Sequence, residues 1–341
     1  VLMGTAMARR SVYMYGNTLP RNEKGLIDNG LGKAVAYGKV GILEPNLVVA
    51  QTQETHVIDG VTFEFHNVPG SEAPSEFVFY VPELKTFGGA ELFSHTLHNI
   101  YTLRGAKVRD ALKWTQYMEQ AQALAKQADA LVLQHNWPVW GQENIQHFMG
   151  MQQQVYKFMH DQTVRLLNKG YTIHEVSDEV KLPDALTGFL SARGFYGTVS
   201  HNVRGIAQFY LGWYDAHPAN LNPVPPVEAA KRYVALAGGS DKVLQAAEKA
   251  LDAGDFRWAA ELGKQVVFAD PGNQAARLLQ AKALEQMGYQ AESGPWRNAY
   301  LNGALELRQG PPAQGPKREM FLNLLQHTPT ERFLEAMAAA V

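Results

Sequence analysis

Two acids and an imidazole, each placed just beyond a run with strand character, are the side chains of this sequence best suited to chemistry. Glu72 sits in "VPGSEAPSE" after an apolar-alternating stretch, Glu91 follows "KTFGG", and His135 ends "ALVLQ". In a layered α/β fold, side chains at such strand ends converge on one edge of the sheet. Two carboxylates and an imidazole suit a Zn²⁺ ion, which takes N and O ligands at about 2.0–2.2 Å. Each residue alone has a plainer reading: a Glu after a strand is commonly a solvated loop residue, and a His beside Trp-Pro is commonly packing.

A second group lies in "HTLHN". On a helix, His95 and His98 share one face, which can ligate a metal. Asn99, Tyr101 and Arg104 continue the same turn and make an anion-binding surface, because guanidinium meets the oxygens of sulfate, phosphate or carboxylate in a planar fork. The competing reading is a surface Arg104 paired with Asp110. His147, His160 and His201 read as structural or surface residues, and Met149, Met151 and Met159 as core. "YLGWYD" serves equally as a pocket lining or an interface. The sequence contains no H-x-H, no H-x-x-x-H and no nucleophile elbow.

The elements that must position these residues follow from local patterning. "THVIDGVTFEFHNV" places Asp59-Gly60 between two alternating runs, a hairpin signal. Residues 25–90 carry strand and turn signals, with "EFVFYVP" and "KTFGGAE" as two short strands. Spacing of Val108, Leu112, Met118, Leu124 and Ala125 predicts a helix over 107–129. "ALVLQHNWP" is a buried strand stopped by Pro138, and 141–209 is helical with breaks at Gly170 and Pro183. Strands, a long helix and a further strand indicate an α/β layered unit. "DAHPANLNPVPP" (215–226) marks a boundary. Beyond it, Gly254 and Gly288 are each expected to close a helix around Asp270-Pro271, a tetratricopeptide-like layout. Such a unit buries its apolar face only against neighbours or a second subunit. "PTERFLEAMAAAV" is expected to open a last helix at Thr328 or Thr330.

The 341 residues carry a formal charge of −2, which gives no footprint for nucleic acid or an anionic membrane. No apolar run reaches the roughly 18 residues that a transmembrane helix needs. The chain has no cysteine, which excludes disulfides and thiolate metal sites and fits an exported protein. No signal-peptide layout opens the sequence, and both ends are expected to be cut.

Several segments go further than spacing. "MARRSVYMYGNTLP", "PGSEAPSEFVFYVP", "AELFSHTLHNIYTLRGAKVRDALKW", "YKFMHDQTVRLLNKGYT", "RGFYGTVSHNVRGIAQFYLGWYDAHPANLNPVPPVEAAKRYV" and "FADPGNQAARLLQAKALEQMGYQ" resemble the zinc-dependent alkyl sulfatases of metallo-β-lactamase fold. The resemblance implies the later part of an αββα catalytic domain over residues 1–208 and an all-α dimerisation domain over 209–318. It further implies that 319–341 leads into a domain like sterol carrier protein. It assigns Glu72, Glu91 and His135 as metal ligands, with Glu91 bridging two Zn²⁺ ions. Asn99 and Arg104 become sulfate contacts, and Tyr37 a pocket residue. The family's H-x-H-x-D-H motif is absent and is expected upstream of Val1. The implied activity is hydrolysis of dodecyl sulfate-like esters to alcohol and sulfate, by a homodimer exported to the periplasm or beyond. Two alternatives remain open at this point: a different hydrolase of the same fold acting on thioesters or phosphoesters, and a non-catalytic dimerising fragment.

Overall fold

The computed structural model describes residues 3–35, 41, 43–311 and 326–338. Its contacts divide the chain into two units. One holds 30–32 and 43–215, and the other holds 1–29, 33–42 and 216–341. The division falls at Asp215/Ala216, inside the proline-rich stretch. The N-terminal residues, expected with the catalytic portion, belong to the helical unit.

The first unit is built on a six-stranded sheet in the order β1 (Gln53–Ile58), β2 (Val61–Asn67), β3 (Phe77–Val81), β4 (Thr86–Gly88), β5 (Ala130–Val132) and β6 (Val139–Trp140). No strand precedes Gln53 among the described residues, so the strand signals of 25–52 form none there. Asp59 and Gly60 both take left-handed φ, 51° and 81°, which matches the twist a two-residue hairpin turn needs. All neighbours pair antiparallel except β4 and β5, which run parallel with Thr86 opposite Ala130 and Gly88 opposite Val132. That parallel pair requires a crossover, and helix α2 (Ala111–Leu124) lies within it. The helix is shorter than the 107–129 expected. Asp110 caps it by accepting from the Lys113 N–H at 3.0 Å, and a single 3₁₀ turn, Ala125–Gln127, follows.

Helices α3 (Gln142–Leu167), α4 (Ile173–Glu179), α5 (Asp184–Thr187) and α6 (Val199–Leu211) complete this unit. Alternation along the strands sends Val78, Phe87 and Leu131 into a core with Trp114 and Met118 of α2 and Ile145, Met149, Tyr156 and Met159 of α3. Met151 packs on this core from its edge, so all three methionines belong to it as expected. Phe63, Phe65, Phe77 and Phe79 stack across β2 and β3 with ring centroids 5.2–6.1 Å apart.

The second unit is helical: α1 (described from Gly4–Tyr15), α7 (Pro226–Leu236), α8 (Ser240–Asp252), α9 (Phe256–Ala269), α10 (Gln274–Gln290), α11 (Gly294–Gln309) and α12 (Thr330–Ala338). Consecutive helices α8 to α11 pack on one another. Gly254 follows α8 in left-handed conformation, as a helix terminator should. Gly288 does not close a helix. It lies inside α10, where an added Cβ would sit 2.9 Å from Leu301, so its role is close approach to α11. Helix α1 is fixed to α11 by two fully buried asparagines, Asn298 and Asn302. Their amides donate to the Met14 carbonyl at 3.3 Å and the Val12 carbonyl at 3.1 Å. The Met14 carbonyl is one that a helix C-terminus leaves open, whereas the Val12 carbonyl also accepts the Gly16 N–H at 3.0 Å.

Candidate metal centre

Parallel pairing of β4 and β5 accounts for the meeting of Glu91 and His135. Gly88 faces Val132 in the ladder, and each functional residue lies three positions further on. The pairing continues past the strands, with the Gly89 N–H donating to Val132 O at 2.8 Å and the Gln134 N–H to Ala90 O at 3.3 Å. Both loops then turn through non-glycine residues of positive φ, Ala90 at 46° and Asn136 at 69°. Such conformations cost of order 1–3 kcal/mol and persist only where surroundings hold them. The result is a His135 Nε2 to Glu91 Oε1 distance of 2.5 Å.

Glu72 arrives from the other side, on the loop between β2 and β3. Its ligand oxygen, an oxygen of Glu91 and a ring nitrogen of His98 all lie within 4.8 Å of one another. His98 Nε2 is 3.7 Å from Glu91 Oε1, so one carboxylate oxygen stands between two imidazoles. His98 is 3% exposed, packed against Trp114 and Tyr196 at ring-centroid distances of 5.7 and 5.1 Å. Its backbone is held on both sides. Its N–H donates to Tyr156 Oη at 2.8 Å, and its carbonyl accepts from Asn202 Nδ2 at 2.9 Å.

Residues 92–109 contain no helix, so the shared helical face expected for His95 and His98 does not exist. The two rings diverge. His95 stacks on Trp137 at 4.8 Å, with Nε2 2.8 Å from the Trp137 carbonyl, and takes no part in the cluster. Arg109, passed over in the sequence, is central. Its guanidinium pairs with the Glu72 carboxylate and backbone carbonyl, and donates to Asn99 O at 2.7 Å and Oδ1 at 2.6 Å. The only sign of it in the sequence is a charge in "AKVRDALKW" directly before the helix cap. Arg104 lies half-buried in the turn after Asn99, and Asp110 is occupied as the α2 cap. Tyr37 lies outside the described residues.

Charge in the cluster follows from these contacts. Burial opposes ionisation of Glu91, but hydrogen bonds from His135 and His98 outweigh it and hold the carboxyl below its usual range. The same bond to Glu91 raises His135 against the opposing effect of burial. Burial raises Glu72, with Arg109 and His98 pulling the other way. Glu72, Glu91 and His98 are N/O donors of the kind that zinc takes, while His135, expected among the ligands, reaches the group only through its contact with Glu91. Ligands about 2.1 Å from a tetrahedral ion lie roughly 3.4 Å apart, the scale of the Glu91–His98 separation.

Comparison with known proteins shows what this chain is similar to. The solved structure of the stereoselective inverting sec-alkylsulfatase Pisa1 from Pseudomonas sp. superposes with a TM-score of 0.95 at 42% identity, covering 99% of this chain and 54% of that one. A linear primary-alkylsulfatase of Pseudomonas sp. is 50% identical over 311 residues, 91% of this chain and 46% of the relative. An alkyl/aryl-sulfatase of Saccharomyces cerevisiae is 50% identical over 313 residues, 92% of this chain and 48% of the relative. Residues 172–310 match the family described as alkyl sulfatase dimerisation. The chain is similar to alkylsulfatases over about nine-tenths of its length, and spans about half the length of the curated relatives it matches.

Proposed function

We propose that this chain supplies one side of a dinuclear zinc centre that hydrolyses alkyl sulfate esters to alcohol and sulfate. The convergence of Glu72, Glu91 and His98, with His135 joined to it through Glu91, carries this reading, within a chain so similar to alkylsulfatases. In this reading Glu91 would be the ligand shared by the metal pair, and Glu72, His98 and His135 would be the further residues of these loops that hold it. The 341 residues contain no H-x-H-x-D-H motif, and they span about half the length of the alkylsulfatases they match. Bound there, Zn²⁺ supplies Lewis acidity and brings a water toward ionisation near neutral pH.

The chain's own residues hold the ester. Arg109 takes the Asn99 side-chain oxygen, which turns the Asn99 amide N–H₂ toward a sulfate oxygen, and Arg104 contributes the second contact. Donors fixed before reaction offset the charge that grows on the sulfate in the transition state. The cysteine-free composition accords with a protein working outside the cytoplasm.

Zinc titration by calorimetry, with sulfate release from dodecyl sulfate, tests this reading. The chain is expected to take up Zn²⁺ through Glu91, so that Glu91→Gln loses binding, and to release sulfate at background rate. Zinc uptake indifferent to Glu91→Gln refutes the site, and full turnover refutes the assignment of essential ligands.

The second part of the proposal is a homodimer through the helical unit. It is supported by the dimerisation-family match and by exposed Tyr233, Leu236, Trp258 and Leu278 on α7, α9 and α10. Light scattering on the chain with EDTA present is expected to give a dimer at micromolar concentration, and a monomer refutes it.

A further inference from the structure

We infer that Glu76 is a positioning residue for the metal centre, tying together the two loops that carry its acidic ligands. The inference rests on the metal-site reading above. Glu76 is buried, 8% exposed, immediately before β3. Its Oε2 accepts from the Glu72 N–H at 2.9 Å and the Ala73 N–H at 3.3 Å, and lies 2.6 Å from the Ser71 hydroxyl. Its Oε1 accepts from the Glu91 N–H at 3.0 Å. One carboxylate thus gathers the backbone N–H groups of both Glu72 and Glu91, whose loops are otherwise separate in sequence.

Three of the partners are backbone N–H donors, and the Ser71 hydroxyl shares its one proton between Glu76 and the Val68 carbonyl at 2.7 Å, which explains the choice of residue. An ionised carboxylate is acceptor-only, with capacity on both oxygens. A glutamine of the same length must turn its NH₂ against either the Glu91 N–H or the Ser71–Ala73 group. One loop is then released, whichever way the amide faces. The loops need such a tie, because Gly70 and Ala90 stand at φ 80° and 46° just before the two ligands. Without it, neither backbone holds its side chain at the geometry a cation demands. Glu76 does not ligate in this account; it acts through the peptide groups of the residues that do.

The test is the Zn²⁺ dissociation constant of the folded chain by calorimetry, with circular dichroism to confirm folding, for wild type, Glu76→Gln and Glu76→Asp. Glu76→Gln is expected to weaken binding at least tenfold. Glu76→Asp keeps two acceptor oxygens on a shorter stem and is expected to fall between it and wild type. A merely structural role would lower stability and leave the affinity of the folded chain unchanged, and that result overturns the inference. Should Glu76→Gln not fold, Ser71→Ala removes the hydroxyl that ties Glu76 Oε2 to the Val68 carbonyl, with about threefold weaker binding expected and unchanged binding refuting. Wild-type chain whose zinc uptake ignores Glu91→Gln overturns the metal-site reading itself, and this inference with it.

Discussion

Replacing Asn202 by Leu removes the clamp on the His98 loop and leaves little empty space. Asn202 sits in the first turn of α6 and is fully buried. Its Oδ1 accepts from the Ile100 N–H at 2.8 Å, and its Nδ2 donates to the His98 carbonyl at 2.9 Å. Each bond contributes about 1 kcal/mol net. The Ile100 N–H then stands unpaired beside a side chain with no exposure, and an orphaned buried donor costs about 1–3 kcal/mol. The His98 carbonyl keeps the Tyr156 hydroxyl at 3.2 Å, so its residual cost is smaller. The sum is a destabilisation of about 2–4 kcal/mol, or roughly 5–15 °C in Tm for a unit of this size. Urea unfolding followed by tryptophan fluorescence measures it, since Trp114 lies in the same core. Zinc affinity should fall with it, because the same clamp holds the His98 ring beside Glu91. Tyr156→Phe strips the other side of the His98 peptide, and the two substitutions should be non-additive because they share that peptide. An Asn202→Leu chain within about 0.5 kcal/mol of wild type, the range of an ordinary surface substitution, would refute the claim that loop 95–101 is held through this side chain.

His98→Ala should weaken Zn²⁺ binding by about 10- to 100-fold, while His95→Ala, three residues away but packed on Trp137, should leave it within about twofold. Calorimetric titration of the two variants separates the cluster from the stacked ring, and equal losses would contradict the divergence of the two rings. In the helical unit, burial and the hydrogen bond to Glu306 push the Tyr13 hydroxyl up to about 12. A folded pKa raised above the unfolded value of about 10 gives stability that is intact below pH 10. It is lost as pH climbs toward about 12. The advantage of wild type over Tyr13→Phe in urea should therefore hold at pH 8 and narrow above pH 10. A phenolate titration at 295 nm with an ordinary midpoint for Tyr13 would contradict this.

What was legible in the sequence was mostly local. Asp59-Gly60 fixed a hairpin because only a turn with two left-handed residues matches strand twist, and the pair supplies it. The strands at 77–81, 86–88 and 130–132 stood out because each is a short apolar run closed by turn residues. Partners at long range were hidden. Helix α1 pairs with α11 through Asn298 and Asn302, more than 280 residues away, and nothing in "MARRSVYMYG" indicates that pairing. In the sequence His98 reads as a ligand only in company with His95, on a helix that does not form. Glu76 and Arg109 carried no pattern at all: one is a second acid in a polar loop, the other a charge beside a cap. Their roles come from backbone groups they meet in three dimensions.

Glu91 and His135 are the instructive case, because each was visible as a strand-end residue while their meeting depended on one feature of topology. A residue three beyond a strand can point anywhere. Two such residues become neighbours only if their strands pair parallel, in register, with the ladder extended into both loops. All three conditions hold here: Gly88 faces Val132, and the next bonds, Gly89 to Val132 and Ala90 to Gln134, carry the pairing onward. An antiparallel pairing would send the two chain ends apart, and a one-residue slip would invert the side chains with respect to the sheet. The parallel arrangement in turn demands a covered crossover, which α2 and its buried Trp114 provide, and Trp114 Nε1 donates to Leu92 O at 3.0 Å, one residue past Glu91. The crossover helix thus both permits the register and pins the loop that the register delivers. The cluster is a consequence of how β4, α2 and β5 must connect, and substitutions that loosen the Trp114–Leu92 contact should disturb it without touching a ligand.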